Sequence, residues 1–279
     1  MRLHRVRSLD EYHNHLKQDA VELNQHKLFL EQLVLNREFP FVYNAYSYTA
    51  GKESELIVDL NHSNKGEVNW RERLGCKATH FNNRMRAACQ LYDIEIEPYY
   101  NDDIYITEQL TPMYSYFKGK FPNIVGSEYL GDDIALGSIN HVGLRNEDLT
   151  RLTMDNEKFD AVISFDVFEH IPNFIDAFSE CYRVLKAGGR LFWTVPFVFN
   201  SRENIIRSVI KEGELVHILE PEYHGNPTTN SKILCFQHFG WAMLDDIKKV
   251  GFKDAYAVLF RSEEFGYLGF NQAVFVAIK

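Results

Sequence analysis

Apolar residues near the start of the chain recur at helical spacing. Ser8 followed by Glu11 forms a capping-box signature, and behind it the apolar positions fall three and four residues apart. These positions are Leu9, Tyr12, Leu16, Ala20 and Leu23. The pattern predicts one amphipathic helix that runs to about Asn36. Residues 41–67 are typical of short strands and turns, and helical residues return in the second half of 69–91.

From Asp103 onward, strand-like apolar runs alternate with helical segments. The predicted strands are 104–107, 124–127, 142–145, 159–164, 190–195, 255–260 and 273–278. The predicted helices among them are 110–121, 174–185 and 241–250. Such alternation predicts parallel strands joined by right-handed crossovers. The chain between the last two strands is too short for a helical crossover, so these two should pair antiparallel.

The change of pattern near residue 100 predicts two domains. Residues 1–100 should form a small helical and mixed module, and residues 101–279 an α/β domain with an insertion around 198–238. The fold class that follows is α/β, with a doubly wound, mostly parallel, seven-stranded sheet that ends in an antiparallel hairpin.

The composition is that of an ordinary soluble protein, since 45% of the 279 residues are hydrophobic and 25% are charged. A net charge of −9 disfavours nucleic acid as a partner, because duplex binders need a basic surface. No run approaches the ~18 apolar residues of a membrane helix, and the N-terminus lacks the apolar core of a secretory signal. Four cysteines without paired spacing are typical of free thiols in a reducing compartment. We therefore expect a cytoplasmic protein without membrane contact.

Carboxylates follow four of the predicted strands, at Glu108, Glu128, Asp148 and Asp166. Open α/β sheets bind ligands at the carboxyl ends of their strands. A nucleoside cofactor suits such groups, because carboxylates accept hydrogen bonds from ribose hydroxyls and an adenine amino group and pair with a buried ammonium. Two alternatives stay open: Glu108 and Glu128 are solvated strand-end residues, or Asp148 caps a turn.

Two stretches resemble the class I S-adenosylmethionine-dependent methyltransferases. Residues 147–172 contain Asp-Leu after an acidic residue, a Phe-Asp that opens a buried strand, and Glu-His-Ile-Pro. Residues 183–196 begin with Arg-Val-Leu-Lys-Ala-Gly-Gly. The resemblance implies a Rossmann-like fold with S-adenosyl-L-methionine as the cofactor.

The resemblance is closest to a branch of this class in which the first strand of the domain ends in a lone glutamate. Most of the class has an E/D-x-G-x-G-x-G turn there, whereas this chain has Thr-Glu-Gln-Leu-Thr-Pro at 107–112. Either the chain follows that branch, or its cofactor site is altered. By resemblance, Glu108 approaches the methionine part, Glu128 the ribose hydroxyls, and Asp148 with Leu149 the adenine. The full set of implied cofactor-binding residues is Glu108, Gln109, Glu128, Tyr129, Asp148, Leu149, Ser164, Phe165 and Asp166.

The region between the fifth strand and the last helix is where this class commonly inserts substrate-recognition elements. We predict that Tyr223, His224 and Trp241 line the acceptor pocket there. The candidate catalytic residues are His170, His224 and Glu222, since an oxygen acceptor of high pKa needs a general base. A hydrogen-bonded structural role for His170 and an ordered loop packed by its aromatic side chains stay open as alternatives.

Residues of metal-ligand type occur in the same region, at His217, Glu222, His224, Cys235 and His238. Their spacings match no closed zinc pattern, so no metal site is predicted. In the N-terminal module, Cys76 resembles the first cysteine of a Cys-x-x-Cys knuckle of some relatives, but Thr79 stands at the second position. We expect a metal-free remnant, with Arg84 and Arg86 at its surface.

The predicted function is methyl transfer from S-adenosylmethionine, with O-methylation of a small molecule or sugar-like metabolite preferred. A small-molecule acceptor is the expected partner, and a homodimer is left open. A nucleotide-binding oxidoreductase would need G-x-G-x-x-G after the first strand, which the chain lacks. A catalytically inactive binding or scaffold protein on the same fold is the main alternative, and cofactor binding separates the two.

Overall fold

The structure is a computed structural model that describes residues 1–61, 63, 66–225 and 232–279. The chain divides into two compact units. The first comprises Met1–Val6, Asp10–Glu97 and Ala257–Val274, and the second comprises Arg7–Leu9, Pro98–Tyr256 and Phe275–Lys279. The predicted domain boundary at residue 100 stays a prediction.

Strands and helices alternate irregularly in the first part of the chain. The elements are β1 (Arg2–Val6), α1 (Leu9–Gln18), α2 (Ala20–Val34), β2 (Phe41–Ser47), β3 (Lys52–Val58), β4 (Gly75–Cys76) and α3 (Asn83–Ile96). Strands β2, β3 and β4 form an antiparallel sheet. Asn82 caps the N-terminus of helix α3, because its side chain accepts a hydrogen bond from the Met85 amide.

The single long helix predicted up to Asn36 is wrong, because the helix breaks at Asp19. The Asp19 backbone has left helical geometry, with φ −96° and ψ 15°. Aspartate is a poor residue for a helix interior, since its short carboxylate competes for nearby backbone donors. The result is two consecutive helices, α1 and α2.

The remaining elements begin with strand β5 and include one 3-10 turn. They are β5 (Ile104–Ile106), α4 (Pro112–Lys120), β6 (Ile124–Gly126), β7 (Phe159–Phe165), the 3-10 turn (Phe168–His170), α5 (Phe174–Val184), β8 (Leu185–Thr194), β9 (Ile205–Ile206), β10 (Ser208–Lys211), β11 (Glu214–His217), β12 (Glu222–Gly225), β13 (Lys232–Cys235), β14 (Gln237–His238), α6 (Ala242–Val250), β15 (Asp254–Arg261) and β16 (Ala273–Ile278). The pairs β10–β11, β12–β13 and β9–β14 are antiparallel.

One seven-stranded sheet has the order β1-β15-β16-β8-β7-β5-β6. Strands β6, β5, β7 and β8 run parallel, β16 is antiparallel to β8, and β1 is antiparallel to β15. The last two strands, β15 and β16, are neighbours as predicted. Crossovers between non-consecutive parallel strands make this a doubly wound, Rossmann-like sheet, so the predicted fold class is confirmed.

The predicted strand at 142–145 is wrong. Arg145 and Asn146 make only isolated bridges, to Ile139 and Glu128. The Asn140 carboxamide accepts hydrogen bonds from the amides of Val142 and Leu144, at 3.0 and 2.9 Å. These amides would otherwise be available to a strand ladder, so the segment turns instead. The seventh strand of the sheet is β1.

Among the described residues, no helix is long and apolar enough to cross a membrane.

Candidate active site

The parallel register brings the ends of three strands to one edge of the sheet. Ile106 of β5 pairs with Gly126 of β6 on one side and with Ile163 of β7 on the other. The residues at the ends of these strands therefore lie side by side. They are Glu108 after β5, Glu128 after β6 and the segment 164–166 at the end of β7, all of which we predicted to contact a cofactor.

The Glu128 carboxylate is buried and fixes the loop that follows β5. Its Oε1 atom accepts hydrogen bonds from the amides of Gln109 and Leu110, at 2.7 and 2.9 Å. Burial raises the pKa of Glu128 and these two bonds oppose the rise. Glu108 and Glu128 are each 7% exposed, so the alternative that both are solvated is wrong. Within the described part of the chain, no hydrogen bond reaches Glu128 Oε2, and this oxygen suits a ribose hydroxyl.

Gly126 lets the backbone at the end of β6 lie close to the loop after β5, which has no glycine-rich sequence. A Cβ atom at this position would lie 2.7 Å from the Glu108 carbonyl oxygen and 2.6 Å from the Tyr114 ring. Helix α4 begins directly after the loop, where Thr111 Oγ1 accepts a hydrogen bond from the Tyr114 amide. The tight junction between β5, α4 and β6 thus depends on the glycine that ends β6.

Asp148 caps a turn, which the sequence analysis left open as an alternative to adenine binding. Its Oδ1 accepts hydrogen bonds from the Thr150 amide at 2.9 Å and the Thr150 hydroxyl at 2.7 Å. Its Oδ2 accepts one from Arg151 Nε at 2.9 Å. Burial favours a higher pKa for Asp148, but these bonds outweigh it and lower the pKa. Leu149 beside it is buried, whereas Tyr129 is 55% exposed.

The end of β7 is held by hydroxyl and carboxylate hydrogen bonds. Ser164 Oγ accepts from Thr107 Oγ1 at 3.0 Å, and Phe165 is buried. Asp166 has a φ of 52°, and its Oδ1 accepts a hydrogen bond from Thr194 Oγ1 at 2.8 Å. A non-glycine residue in the left-handed region is strained, and such strain concentrates at functional sites.

The three predicted catalytic residues lie close together, His170 on the 3-10 turn that follows β7 and Glu222 and His224 on β12. His224 Nε2 lies 3.2 Å from Glu222 Oε1, and the rings of His170 and His224 meet edge to face at 5.0 Å. Hydrogen bonds to His224 and His238 and the charge of Arg207 lower the pKa of Glu222 against the opposing effect of burial. Burial is the main cause that lowers the pKa of His170. At neutral pH the cluster therefore combines a carboxylate with a neutral His170 ring.

Hydrogen bonds attach the β12–β13 hairpin to the 3-10 turn. His170 Nδ1 lies 2.8 Å from the Leu234 carbonyl oxygen, and the Phe236 amide donates to the Glu169 carbonyl at 2.7 Å. Gln237 Nε2 donates to the carbonyls of Phe168 and Ile171, at 2.8 and 3.1 Å. The hydrogen-bonded role proposed for His170 is therefore real, and it leaves the Nε2 atom of the ring available.

One expectation for the acceptor pocket needs correction. Trp241 is buried, and its indole Nε1 donates to the Phe199 carbonyl at 2.7 Å, so it belongs to the core. Tyr223 is exposed, and its neighbour His224 is partly buried. The Trp241 ring packs against the rings of Phe197 and Phe199.

Sequence reasoning missed Glu169, whose side chain is fully buried beside both histidines. His170 Nε2 lies 3.7 Å and His224 Nδ1 3.8 Å from Glu169 Oε1. The Glu-His pair of the Glu-His-Ile-Pro motif was visible, but its proximity to His224 depends on the fold of the insertion. The sequence alone does not show that the Glu169 side chain is buried, and this burial is what marks Glu169 as a candidate site residue.

One segment of the chain is similar to a known protein family. Residues 119–193 match the family model described as a methyltransferase domain. No curated protein has a matching sequence. This match confirms the resemblance to the class I, S-adenosylmethionine-dependent methyltransferases, and the order of the sheet agrees with it.

Solved structures similar to this chain have low sequence identity. YcgJ from Bacillus subtilis is 14% identical over 40% of this chain and 51% of its own, with a TM-score of 0.33. Streptomyces venezuelae DesVI is 15% identical over 70% and 92%, with a TM-score of 0.45. Burkholderia thailandensis 1,6-didemethyltoxoflavin-N1-methyltransferase, with its substrate and S-adenosylhomocysteine bound, is 12% identical over 70% and 77%, with a TM-score of 0.38. The chain spans about half the length of the first three structures matched, at 45%, 51% and 43%.

Proposed function

We propose that the protein transfers a methyl group from S-adenosylmethionine to a hydroxyl oxygen of a small, sugar-like molecule. The observation that supports this most is the cluster of His170, on the 3-10 turn that follows β7, with Glu222 and His224 of β12. Asp166 of that edge lies near enough to His170 to influence its pKa. This proximity supports the proposal that the acceptor binds beside the cofactor.

The strand-end residues fit the cofactor chemically. Glu108 is proposed to approach the cofactor ammonium, because a buried carboxylate can pair with that charge. Glu128 Oε2 is proposed for the ribose hydroxyls, with Gln109 and Tyr129 flanking it. Leu149 contributes an apolar wall for the adenine, while Asp148 shapes the turn beside it. Ser164, Phe165 and Asp166 are proposed to border the cofactor from β7.

The chemistry divides between cofactor and protein. When bound, S-adenosylmethionine supplies an electrophilic methyl on sulfur, so that an acceptor oxygen gains the methyl and the carbon–sulfur bond breaks onto sulfur. The protein must orient the acceptor and draw away its hydroxyl proton. His170, His224 and Glu222 form the centre proposed for this, since an imidazole nitrogen can take the proton and Glu222 orients His224.

The class of acceptor follows from the groups around that centre. A carboxylate can accept hydrogen bonds from several hydroxyl groups, and each of the two imidazoles has one nitrogen that can accept another. They suit a polyhydroxylated small molecule better than an apolar one. The net charge of −9 and four buried free cysteines support a small-molecule partner in a reducing, cytoplasmic setting over a nucleic acid. A homodimer remains compatible with the proposal.

The test is release of S-adenosylhomocysteine from S-adenosylmethionine with free hexoses, hexose phosphates and nucleoside diphosphate hexoses as acceptors. The proposal predicts turnover with at least one of these classes. His224→Gln should lower kcat about 10²- to 10⁴-fold, the usual contribution of acid–base catalysis. His217→Gln, at the exposed end of β11, is the matched control and should leave turnover unchanged. Cofactor binding without turnover on any acceptor would favour the inactive binding protein instead.

A further inference from the structure

Three side chains of metal-ligand type converge beside the end of β7. Glu169 and His170 lie on the 3-10 turn, and His224 lies on β12. One ligand atom from each lies within 4.8 Å of the others. Both imidazoles face the same oxygen, Glu169 Oε1, at 3.7 and 3.8 Å. Ligand atoms around a tetrahedral zinc ion lie roughly 3.4 Å apart, because each bond measures about 2.1 Å, so a small contraction would complete the site.

The hydrogen bond of His170 fixes which of its nitrogens faces Glu169. Nδ1 lies 2.8 Å from the Leu234 carbonyl oxygen, which can only accept a hydrogen bond. Nδ1 therefore holds the proton in the neutral ring, and the lone pair of Nε2 faces Glu169. Metal-binding histidines commonly donate their other N–H to a backbone carbonyl in this way.

His224 has the same arrangement with the two nitrogens exchanged. Its Nε2 lies 3.2 Å from Glu222 Oε1, so Nε2 donates to a carboxylate. The lone pair of Nδ1 then faces Glu169 in the neutral ring. A carboxylate behind a histidine orients the ring and makes it a better ligand. Two lone pairs and a buried carboxylate thus point at one another, an arrangement that a cation stabilises.

We propose that Glu169, His170 and His224 bind a divalent transition-metal ion, with zinc as the first choice. Two histidines and one glutamate form a ligand set found in catalytic zinc sites, which keep a fourth position for water or substrate. The same set also suits other divalent ions of the first transition row. Glu222 acts as a positioning residue that holds His224.

A neighbouring group is a poorer site. Glu222, Cys235 and His238 also lie close together. However, the Cys235 thiol donates a hydrogen bond to the Gln237 carbonyl at 3.3 Å. Glu222 Oε1 already lies 3.2 Å from Nε2 of both His224 and His238. This group is satisfied internally, so we assign no second metal ion to it, and only its member Glu222 acts on the proposed site, through His224.

The role of the ion rests on the proposed function. An acceptor hydroxyl in the fourth position would lose its proton more readily, because coordination lowers the pKa of a bound oxygen. The proton would leave to solvent, and the two histidines would hold the ion instead of acting as free bases. This links His170 and His224, which belong to both proposals, to activation of an oxygen acceptor.

The experiment is calorimetric titration of the full chain, stripped with a chelator and dialysed, with zinc chloride and separately with cobalt chloride. One ion per chain should bind with a Kd in the micromolar range or tighter. His170→Gln and His224→Gln should each raise the Kd at least tenfold, and Glu222→Gln should raise it less. Circular dichroism and thermal melting establish that each variant is folded. His224→Gln is the decisive variant because His224 is less buried than Glu169.

Matched controls locate the site. His238→Gln tests the neighbouring group, and His15→Gln tests the group formed by His4, His15 and Asp19. Both should leave the Kd unchanged. No zinc binding by the folded wild type, or an unchanged Kd in His170→Gln and His224→Gln, would overturn the proposal. Titration of the same sample with S-adenosylmethionine is scored separately, so failure of the metal site and failure of the methyltransferase proposal are distinguishable.

Discussion

The Arg86 guanidinium is fully buried in the first unit and is held by backbone carbonyl oxygens. It donates to Phe265 at 2.7 Å, to Gly266 at 3.1 Å and to Leu74 at 3.4 Å. Burial lowers the pKa of Arg86 to about 10, so the charge persists at neutral pH. The expectation of a surface arginine was wrong, because the sequence around it does not reveal that these carbonyls converge there. The side chain joins segments of the first unit that are distant in sequence.

Replacing Arg86 should therefore destabilise the protein more than replacing its neighbour. Arg86→Met leaves buried carbonyl oxygens unpaired and should lower the free energy of unfolding by about 2–4 kcal/mol. Arg84→Met removes a partly exposed ion pair with Glu72 and should cost less than about 1 kcal/mol. Urea denaturation measures both. Equal losses would show that the buried hydrogen bonds of Arg86 contribute little.

Gly126 offers a second test at the scale of one residue. Gly126→Ala places a methyl group against the Glu108 carbonyl and the Tyr114 ring, so stability should fall by about 1–3 kcal/mol. Affinity for S-adenosylmethionine should fall with it, because the loop after β5 must shift. Gly119→Ala is the control, since its Cβ meets nothing within 4 Å and lies in helix α4. That variant should be neutral or slightly more stable. Unchanged cofactor affinity in folded Gly126→Ala would contradict this account of the loop.

Individual elements differ in how well their sequences predict them. The apolar run of β7 is buried along nearly its full length, and a run of that kind identifies a central strand directly. The segment 142–145 has similar residues, but Asn140 takes its amide hydrogens and prevents a strand. The β12–β13 hairpin lies against the 3-10 turn through long-range hydrogen bonds, which a local pattern cannot show. The candidate cofactor residues were therefore easier to find than the Glu169 cluster.

The attachment of the hairpin depends on Gln237. Gln237→Leu removes a donor to the carbonyls of Phe168 and Ile171, while the Phe168 carbonyl keeps its hydrogen bond from the Ile171 amide. The expected cost is about 1–3 kcal/mol, and hydrogen exchange in 232–238 and in the 3-10 turn should become faster. Tyr223→Leu, an exposed change on the same hairpin, should do neither. Exchange that is equally slow in both variants would show that Gln237 does not hold the hairpin.

For the whole molecule, the ion pair of Arg7 with Asp254 predicts how stability depends on pH. Hydrogen bonds from Arg7 are the main cause that lowers the pKa of Asp254 below its usual 3.8. Because the pKa of Asp254 is lower in the folded than in the unfolded chain, the ion pair stabilises the protein at pH values above the unfolded pKa. This stabilisation is lost as the pH falls through the folded pKa. Asp254→Asn should cost under about 1 kcal/mol at pH 7, since the pair is partly exposed. The difference from wild type should vanish in strong acid, as thermal melting against pH would show. A constant difference at every pH would exclude this cause, and Asp133→Asn, an exposed acid, is the control.

The order of the sheet gives the fold class, and alternation of strands and helices predicted most of that sheet. The sequence pattern did not predict that β1 joins the sheet. This short strand is rich in polar residues, and it pairs with the edge of β15. The proposed cofactor side follows from which residues end each parallel strand. The proposed acceptor side depends on the insertion, whose contacts arise only in the folded chain.

Binding of the cofactor is the most direct test of the account. Calorimetric titration with S-adenosylmethionine and S-adenosylhomocysteine should show one site per chain with micromolar affinity. Glu128→Ala should lose that affinity, because it removes both the proposed ribose contact and the bonds to the Gln109 and Leu110 amides. Glu214→Ala, an exposed carboxylate on β11, should bind as the wild type does. No binding of either ligand by wild-type protein shown to be folded would contradict the methyltransferase account and favour a binding or scaffold protein.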